Sequence, residues 1–180
     1  MLQLTIVAAV LLLGIWMYNS LVRLRERADG AWADIDVQLK RRYDLIPNLV
    51  ETVKGYAGHE SETLTRVVQA RSAAMAATGP AAKAEAEGML TGALKSLFAL
   101  SEAYPELRAA AGFRDLQGQL SQIEEQIAQA RRYYNAVVRD FNTKTQTFPS
   151  VLIARAFGFG EREFFEMEES EKAAPKVSFD

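Results

Sequence analysis

The fold class that the sequence predicts is all-α, an N-terminal transmembrane helix followed by an antiparallel up-and-down bundle of long helices. Three observations predict it. Residues Leu2 to Tyr18 carry no charged side chain, interrupted only by the polar Gln3 and Thr5. Behind them apolar residues recur three and four apart through most of the chain, the spacing of one face of an α-helix. Gly and Pro are gathered at a few breaks instead of recurring at strand-like intervals, in a chain rich in Ala.

At 180 residues the chain is long enough for one domain with a hydrophobic core and short for two. The predicted organisation is a transmembrane signal anchor over 1–22, a helical bundle over 23–160 and an acidic C-terminal tail over 161–180. The formal net charge is −2, with basic and acidic residues interleaved. No field is built that would gather nucleic acid by counterion release, so nucleic acid is not an expected partner. The absence of Cys excludes disulfides and thiolate metal sites.

As a helix the apolar start rises about 25 Å at about 1.5 Å per residue, close to a hydrocarbon core once Leu21 and Val22 are added. It lacks the polar stripe of a core helix. A cleaved signal peptide would begin with basic residues and end in small ones, whereas this run has no basic start and closes on Trp16, Met17 and Tyr18. An uncleaved anchor is therefore expected, contacting membrane lipid through residues 1–22. Trp16 and Tyr18 suit the bilayer interface. Arg23, Arg25 and Arg27 follow at once, and basic flanks stay on the cytoplasmic side. The expected location is the bacterial inner membrane, single-pass, with the bundle in the cytoplasm.

Leu21, Leu24, Ala28, Trp32, Ile35, Leu39, Ile46, Leu49, Val53 and Tyr56 continue the anchor as one amphipathic helix, missing one beat around Arg42 and Tyr43. Pro47 removes a donor inside that helix and predicts a kink. Gly55 and Gly58 predict its end. A second helix starting near Glu60 or Ser61 would carry Leu64, Val67, Val68 and Met75 to a break at Thr78-Gly79-Pro80. Beyond it Gly88 and Gly92 predict a close approach of a neighbouring backbone. Lys83, Glu85, Glu87 and Lys95 place the same segment in water, which argues against reading the glycines as a membrane dimerisation motif.

Pro105 suits the first turn of a further helix. Phe113, Leu116, Leu120, Ile123, Ile127, Ala130, Tyr134, Val137 and Phe141 then form a heptad-like, coiled-coil seam, which packs within its own bundle or joins copies of the chain. Residues 148–159 predict a short apolar helix between Pro149 and Gly158 that could cap the bundle. Glu161, Glu163, Glu166, Glu168, Glu169 and Glu171 mark the acidic tail, in which Phe164 and Phe165 could dock on a partner or on the bundle.

Several stretches together resemble the LemA family: YNSLV behind the anchor, WADIDVQLKRRYDLIPNLVETVKGYAGHE, LSEAYPELRA, ARRYYNAVVRDFN and FPSVLIARAFGF. The likeness runs from the anchor to about Phe159. It implies a bacterial protein with one N-terminal membrane helix and a domain of antiparallel helices. It brings no established activity and no catalytic or binding residues.

The side-chain inventory points the same way. His59 is the only His, and no Glu is followed three residues later by His, the pairing by which helical bundles hold two metals. A Ser-His relay and a phosphate loop are likewise not assembled. No enzyme, metal or cofactor is predicted. Asp36, Arg42, Asp44, Asn48, Arg132 and Asn135 form either an interhelical polar network or a recognition patch. The function these readings predict is a membrane-anchored helical scaffold or adaptor that forms homo-oligomers, binds a protein partner such as a membrane protein, or does both. The alternatives are an enzyme with an unconventional carboxylate site, or a regulator of a membrane protease or signalling protein.

Overall fold

The structure is a computed structural model that describes residues 1–166; the part of the acidic tail from residue 167 lies outside the described residues. The elements are α1 (Leu2–Ala57), α2 (Ser61–Ala76), α3 (Pro80–Ser101), α4 (Pro105–Ala109), α5 (Ala111–Gln146) and α6 (Ser150–Ala156), and no strand occurs among the described residues. The all-α expectation holds. Two compact units are distinguished, Met1–Val37 with Ala128–Phe164, and Gln38–Ile127 with the described residues from Phe165.

The first unit pairs the N-terminal part of α1 with the C-terminal part of α5. Ser20 contacts Lys144 and the Trp32 and Tyr134 rings lie 5.4 Å apart, so a rising number on α1 meets a falling number on α5 and the two run antiparallel. Leu21, Ala28, Ala31 and Ile35 of α1 face Tyr134, Val137, Val138 and Phe141 of α5, all buried. Towards its start α1 is different. Leu4, Val10 and Leu12 are each more than 60 % exposed, and this is the one helix among the described residues long and apolar enough to cross a membrane.

The short helix α6 belongs to this unit. It ends as its sequence predicts, with Gly158 at φ +71°, the left-handed conformation that Gly adopts without a Cβ penalty. Phe159 N–H donates to the Ala154 carbonyl at 2.9 Å and Phe157 N–H to that of Ile153 at 3.0 Å, satisfying carbonyls that the helix end leaves open. Beyond Gly160 the chain has no regular secondary structure to Glu166.

The second unit holds the rest of α1, then α2, α3, α4 and the first half of α5. Leu39, Ile46, Leu49, Val53 and Ala57 are buried on α1, and the missed beat in its apolar pattern is filled by Arg42 and Tyr43, which are buried themselves. Helices α2 and α3 form an antiparallel hairpin across the turn at Ala77–Gly79, where Gly79 has φ +82° and Pro80 opens α3 without wasting a donor. Leu64, Val67 and Ala74 of α2 face Leu90, Leu94 and Leu97 of α3 in the core, and the Phe98 and Phe113 rings meet edge to face at 6.1 Å.

Three local expectations are corrected. Gly88 and Gly92 are exposed, and a Cβ added at either would meet nothing within 4 Å, so they do not mark a close backbone contact. Val68 and Met75 lie on the outer face of α2, at 46 % and 51 % exposure. Glu87 does not face water; it is 1 % exposed.

Candidate functional site

Arg42 and Glu87 are the two charged residues buried among the described ones, 3 % and 1 % exposed, and they face each other. Burying either alone would cost several kcal/mol, so each must be partnered. Arg42 sits one turn after Leu39 on α1 and extends to α3 and α5. Its Nη1 donates to Glu87 at 3.0 Å, and its Nη2 donates to Thr91 Oγ1 at 2.8 Å and lies 3.2 Å from a Glu124 carboxylate oxygen. The second oxygen of Glu87 accepts a short hydrogen bond from the Tyr43 hydroxyl. Burial raises the Glu87 carboxyl above its ordinary value of 4.5, a direction that the Tyr43 hydrogen bond and the charges of Arg42 and Lys83 oppose without reversing, and that Glu124 reinforces.

Two neighbouring bonds serve backbone carbonyls. Pro47 has no N–H to give to the Tyr43 carbonyl four residues earlier, and Arg71 Nε donates to that carbonyl at 2.8 Å. A helix-interior Pro is thus accommodated by a side chain from α2. At the end of α2, Lys83 Nζ donates to the Ala74 carbonyl at 3.1 Å, one of those a helix C-terminus leaves without an intrahelical donor.

The first unit has its own polar fastening. Asn142, buried on α5, holds the main chain of Arg162 from both sides: its Nδ2 donates to the Arg162 carbonyl and its Oδ1 accepts from the Arg162 N–H, each at 2.9 Å. The Arg162 guanidinium reaches α1, where it donates to the Arg25 carbonyl at 3.1 Å and pairs with Asp29. The Tyr134 hydroxyl donates to the Glu163 carbonyl at 2.9 Å, and burial raises its pKa. A segment without helical hydrogen bonds is held to α5 by side chains that satisfy its backbone, and to α1 by its own Arg162 guanidinium.

The six residues singled out from sequence are spread over this framework. Arg42 is at the centre of the buried cluster. Asp36, Asp44 and Asn48 are exposed on α1, Arg132 is exposed on α5, and Asn135 is half-buried there. None of the five is a partner of Arg42. Sequence reasoning missed Glu87, Thr91 and Asn142. For Glu87 a signal was present: Ala84, Glu87, Leu90, Leu94, Leu97 and Ser101 recur three and four apart on α3, and all are buried. Asn142 closes a stretch of the LemA likeness but carries no periodic mark of its own. Among the described residues no three His, Asp or Glu are grouped as metal ligands would be.

An all-helical chain with an exposed apolar N-terminal helix and its buried charges bound to one another defines a class, a membrane-associated helical protein. The chain belongs to the LemA family, which it matches over residues 31–179, so the match takes in the acidic stretch beyond Glu161. It is 27 % identical over 158 residues to the protein named LemA of Metamycoplasma hominis, covering 86 % of this chain and 71 % of that one. It is 26 % identical over 174 residues to the magnetosome protein MamQ of Magnetospirillum gryphiswaldense, covering 82 % of this chain and 64 % of the relative. To the magnetosome protein MamQ 2 of Paramagnetospirillum magneticum it is 25 % identical over 175 residues, with 83 % and 64 % covered.

Proposed function

We propose that the protein is a membrane-anchored scaffold or adaptor that acts by self-association and by binding a membrane-protein partner, without catalysis. In this reading residues 1–22 anchor it in the bacterial inner membrane, residues 23–160 form the working domain on the cytoplasmic side, and the acidic tail is an accessory. The observation that carries the proposal is that α1 runs unbroken from the apolar segment through the rest of the first unit while one of its faces stays uncovered. Gly30, Ala33 and Val37 are exposed at helical spacing, Val37 at 50 %, with Asp36 exposed beside them. A second copy held in the same plane meets this face at a raised effective concentration, so weak contacts suffice. The buried charges support the same reading, because Arg42 and Glu87 are committed to each other and leave no free buried carboxylate for an acid-base role among the described residues.

Ala28 and Ile35 are wholly buried and would not report contacts between copies. Cys introduced at Ala33 or Val37 is suitably placed. Oxidation of membranes carrying Ala33→Cys or Val37→Cys full-length protein is expected to give disulfide-linked dimers, and Cys at exposed Lys54 is expected to give few. Equal cross-linking at all three positions, or a strictly monomeric protein in mild detergent, would refute self-association through this face.

A further inference from the structure

The first unit contains a groove of about 540 Å³ where α1 leaves the apolar segment and the C-terminal end of α5 lies beside it. Arg23 and Arg27 line it from α1, and Arg139 and Lys144 from α5, against a single carboxylate, Asp140. Among the described residues none of these four cations forms an ion pair. This contrasts with Arg42 and Arg162, which are bound to carboxylates. Lys144 is steered by the Ser20 hydroxyl and lies 5.3 Å over the Trp16 ring. The groove therefore begins at the last turn of the apolar helix.

Its depth relative to a bilayer follows from the helix rise. Arg23 is five residues past Tyr18, about 7.5 Å along the axis, and a headgroup layer is about 5–8 Å thick. Cations that begin at Arg23 lie at the level of lipid phosphates if the apolar run spans the hydrocarbon. The neighbouring helix α6 supports that placement. Ile153 Cδ1 would lie 3.9 Å from a Cβ on Gly14, and the Phe157 ring is 4.8 Å from that of Tyr18, so α6 lies against the end of the apolar run. Yet Phe148, Leu152 and Phe157 are 81 %, 59 % and 62 % exposed. Large apolar side chains left uncovered beside a membrane span fit contact with lipid.

We propose that this groove binds the phosphate of an anionic phospholipid headgroup from the membrane that α1 crosses, while α6 rests its apolar side chains in the same leaflet. The shared chemistry is a phosphate anion among guanidinium and ammonium donors, which Arg engages through two parallel N–H groups. The bilayer is the chosen source because the groove is continuous with the span and flanked by exposed apolar residues in α6 and at its two ends. The inference rests on the membrane span and not on self-association, so the two can fail separately.

The test uses full-length protein in mild detergent, titrated with phosphatidylglycerol or phosphatidylcholine and read by native mass spectrometry. Retention of phosphatidylglycerol over phosphatidylcholine is expected. The Arg27→Gln/Arg139→Gln double variant is expected to bind phosphatidylglycerol roughly 10- to 30-fold more weakly, the effect of two charges near a lipid phosphate. A charge-matched control, Lys40→Gln/Lys54→Gln in the second unit, is expected to leave binding unchanged, and circular dichroism melting shows whether each variant is folded. Equal retention of the two lipids would overturn the proposal, as would equal loss in the control and the groove variant. Displacement of phosphatidylglycerol by millimolar inorganic phosphate would assign the groove to free phosphate and overturn its assignment to lipid. If the groove variant does not fold, the single substitution Arg139→Gln, at an exposed position, carries the same comparison with a smaller loss.

Discussion

The groove of the first unit and the buried cluster of the second treat cations in opposite ways. In the second, Arg42 is buried and each of its terminal nitrogens is taken up by Glu87, Thr91 or Glu124. In the first, Arg23, Arg27, Arg139 and Lys144 line an open groove without a carboxylate partner among the described residues. A buried guanidinium that lost its partner would destabilise the fold by several kcal/mol, whereas an exposed one is solvated and contributes little. The buried arrangement therefore fixes which helices meet, and the open one leaves charge available to a ligand. Side chains of one chemical type are divided between architecture and recognition by whether water reaches them.

The sharpest way to break the comparison is to remove one cation from each place. Arg42→Met is expected to destabilise the protein by about 3–5 kcal/mol, because Glu87 is left buried without its counter-charge. Arg139→Gln is expected to stay within about 0.5 kcal/mol of wild type. Chemical denaturation of full-length protein in detergent, followed by helical circular dichroism, measures both. Similar losses from the two substitutions would mean that the groove cations are structural.

A smaller effect concerns pH. The Glu87 carboxyl is raised in the folded state, so the folded protein holds this proton more tightly than the unfolded chain does. Its contribution to stability is fully present below the unfolded value near 4.5 and is lost as pH rises through the folded-state value. Wild-type protein is therefore expected to lose stability relative to Glu87→Gln as pH rises through that window. The penalty of Arg42→Met should in turn shrink on acidification, because a neutral Glu87 no longer needs the guanidinium. Stability differences that do not change with pH would show that Glu87 has the same pKa folded and unfolded.

The comparison also separates what periodicity reveals from what it hides. The α5 seam was legible because Phe113, Leu120, Ile123, Ile127, Tyr134, Val137 and Phe141 obey the helical spacing and are buried. The helix breaks at Gly58, Gly79 and Gly158 were legible because turn chemistry is local. Glu87 was hidden because charge was read as exposure, although its position on the Ala84–Leu90–Leu94 face gave the opposite signal. Gly88 and Gly92 misled for the converse reason: four-residue spacing puts small residues on one face but does not say that another backbone comes near it. The clasp of Asn142 on Arg162 joins residues twenty positions apart through a non-helical segment, and no periodic pattern encodes such a contact.

Pro47 shows how a local rule and a distant residue combine, and it carries the smallest expected effect. The proline removes the N–H that would serve the Tyr43 carbonyl, yet α1 continues to Ala57. Arg71 Nε supplies a donor to that carbonyl at 2.8 Å from another helix. An unsatisfied buried carbonyl costs about 1–3 kcal/mol, so Arg71→Ala in the wild-type background is expected to lose about that much. In Pro47→Ala the backbone donor can return, and helix propensity improves because Ala replaces the poorest helix former. Arg71→Ala should then be nearly harmless. The double-mutant cycle is expected to show a coupling of about 1–3 kcal/mol between residues 47 and 71, the wild-type loss less the near-zero loss in Pro47→Ala. Additive losses in that cycle would mean that the helix tolerates Pro47 without the guanidinium, and that Arg71 contributes only through packing. Coupling of the expected sign would show that the persistence of α1 through a proline, which local sequence alone argues against, is secured by one side chain of the neighbouring helix.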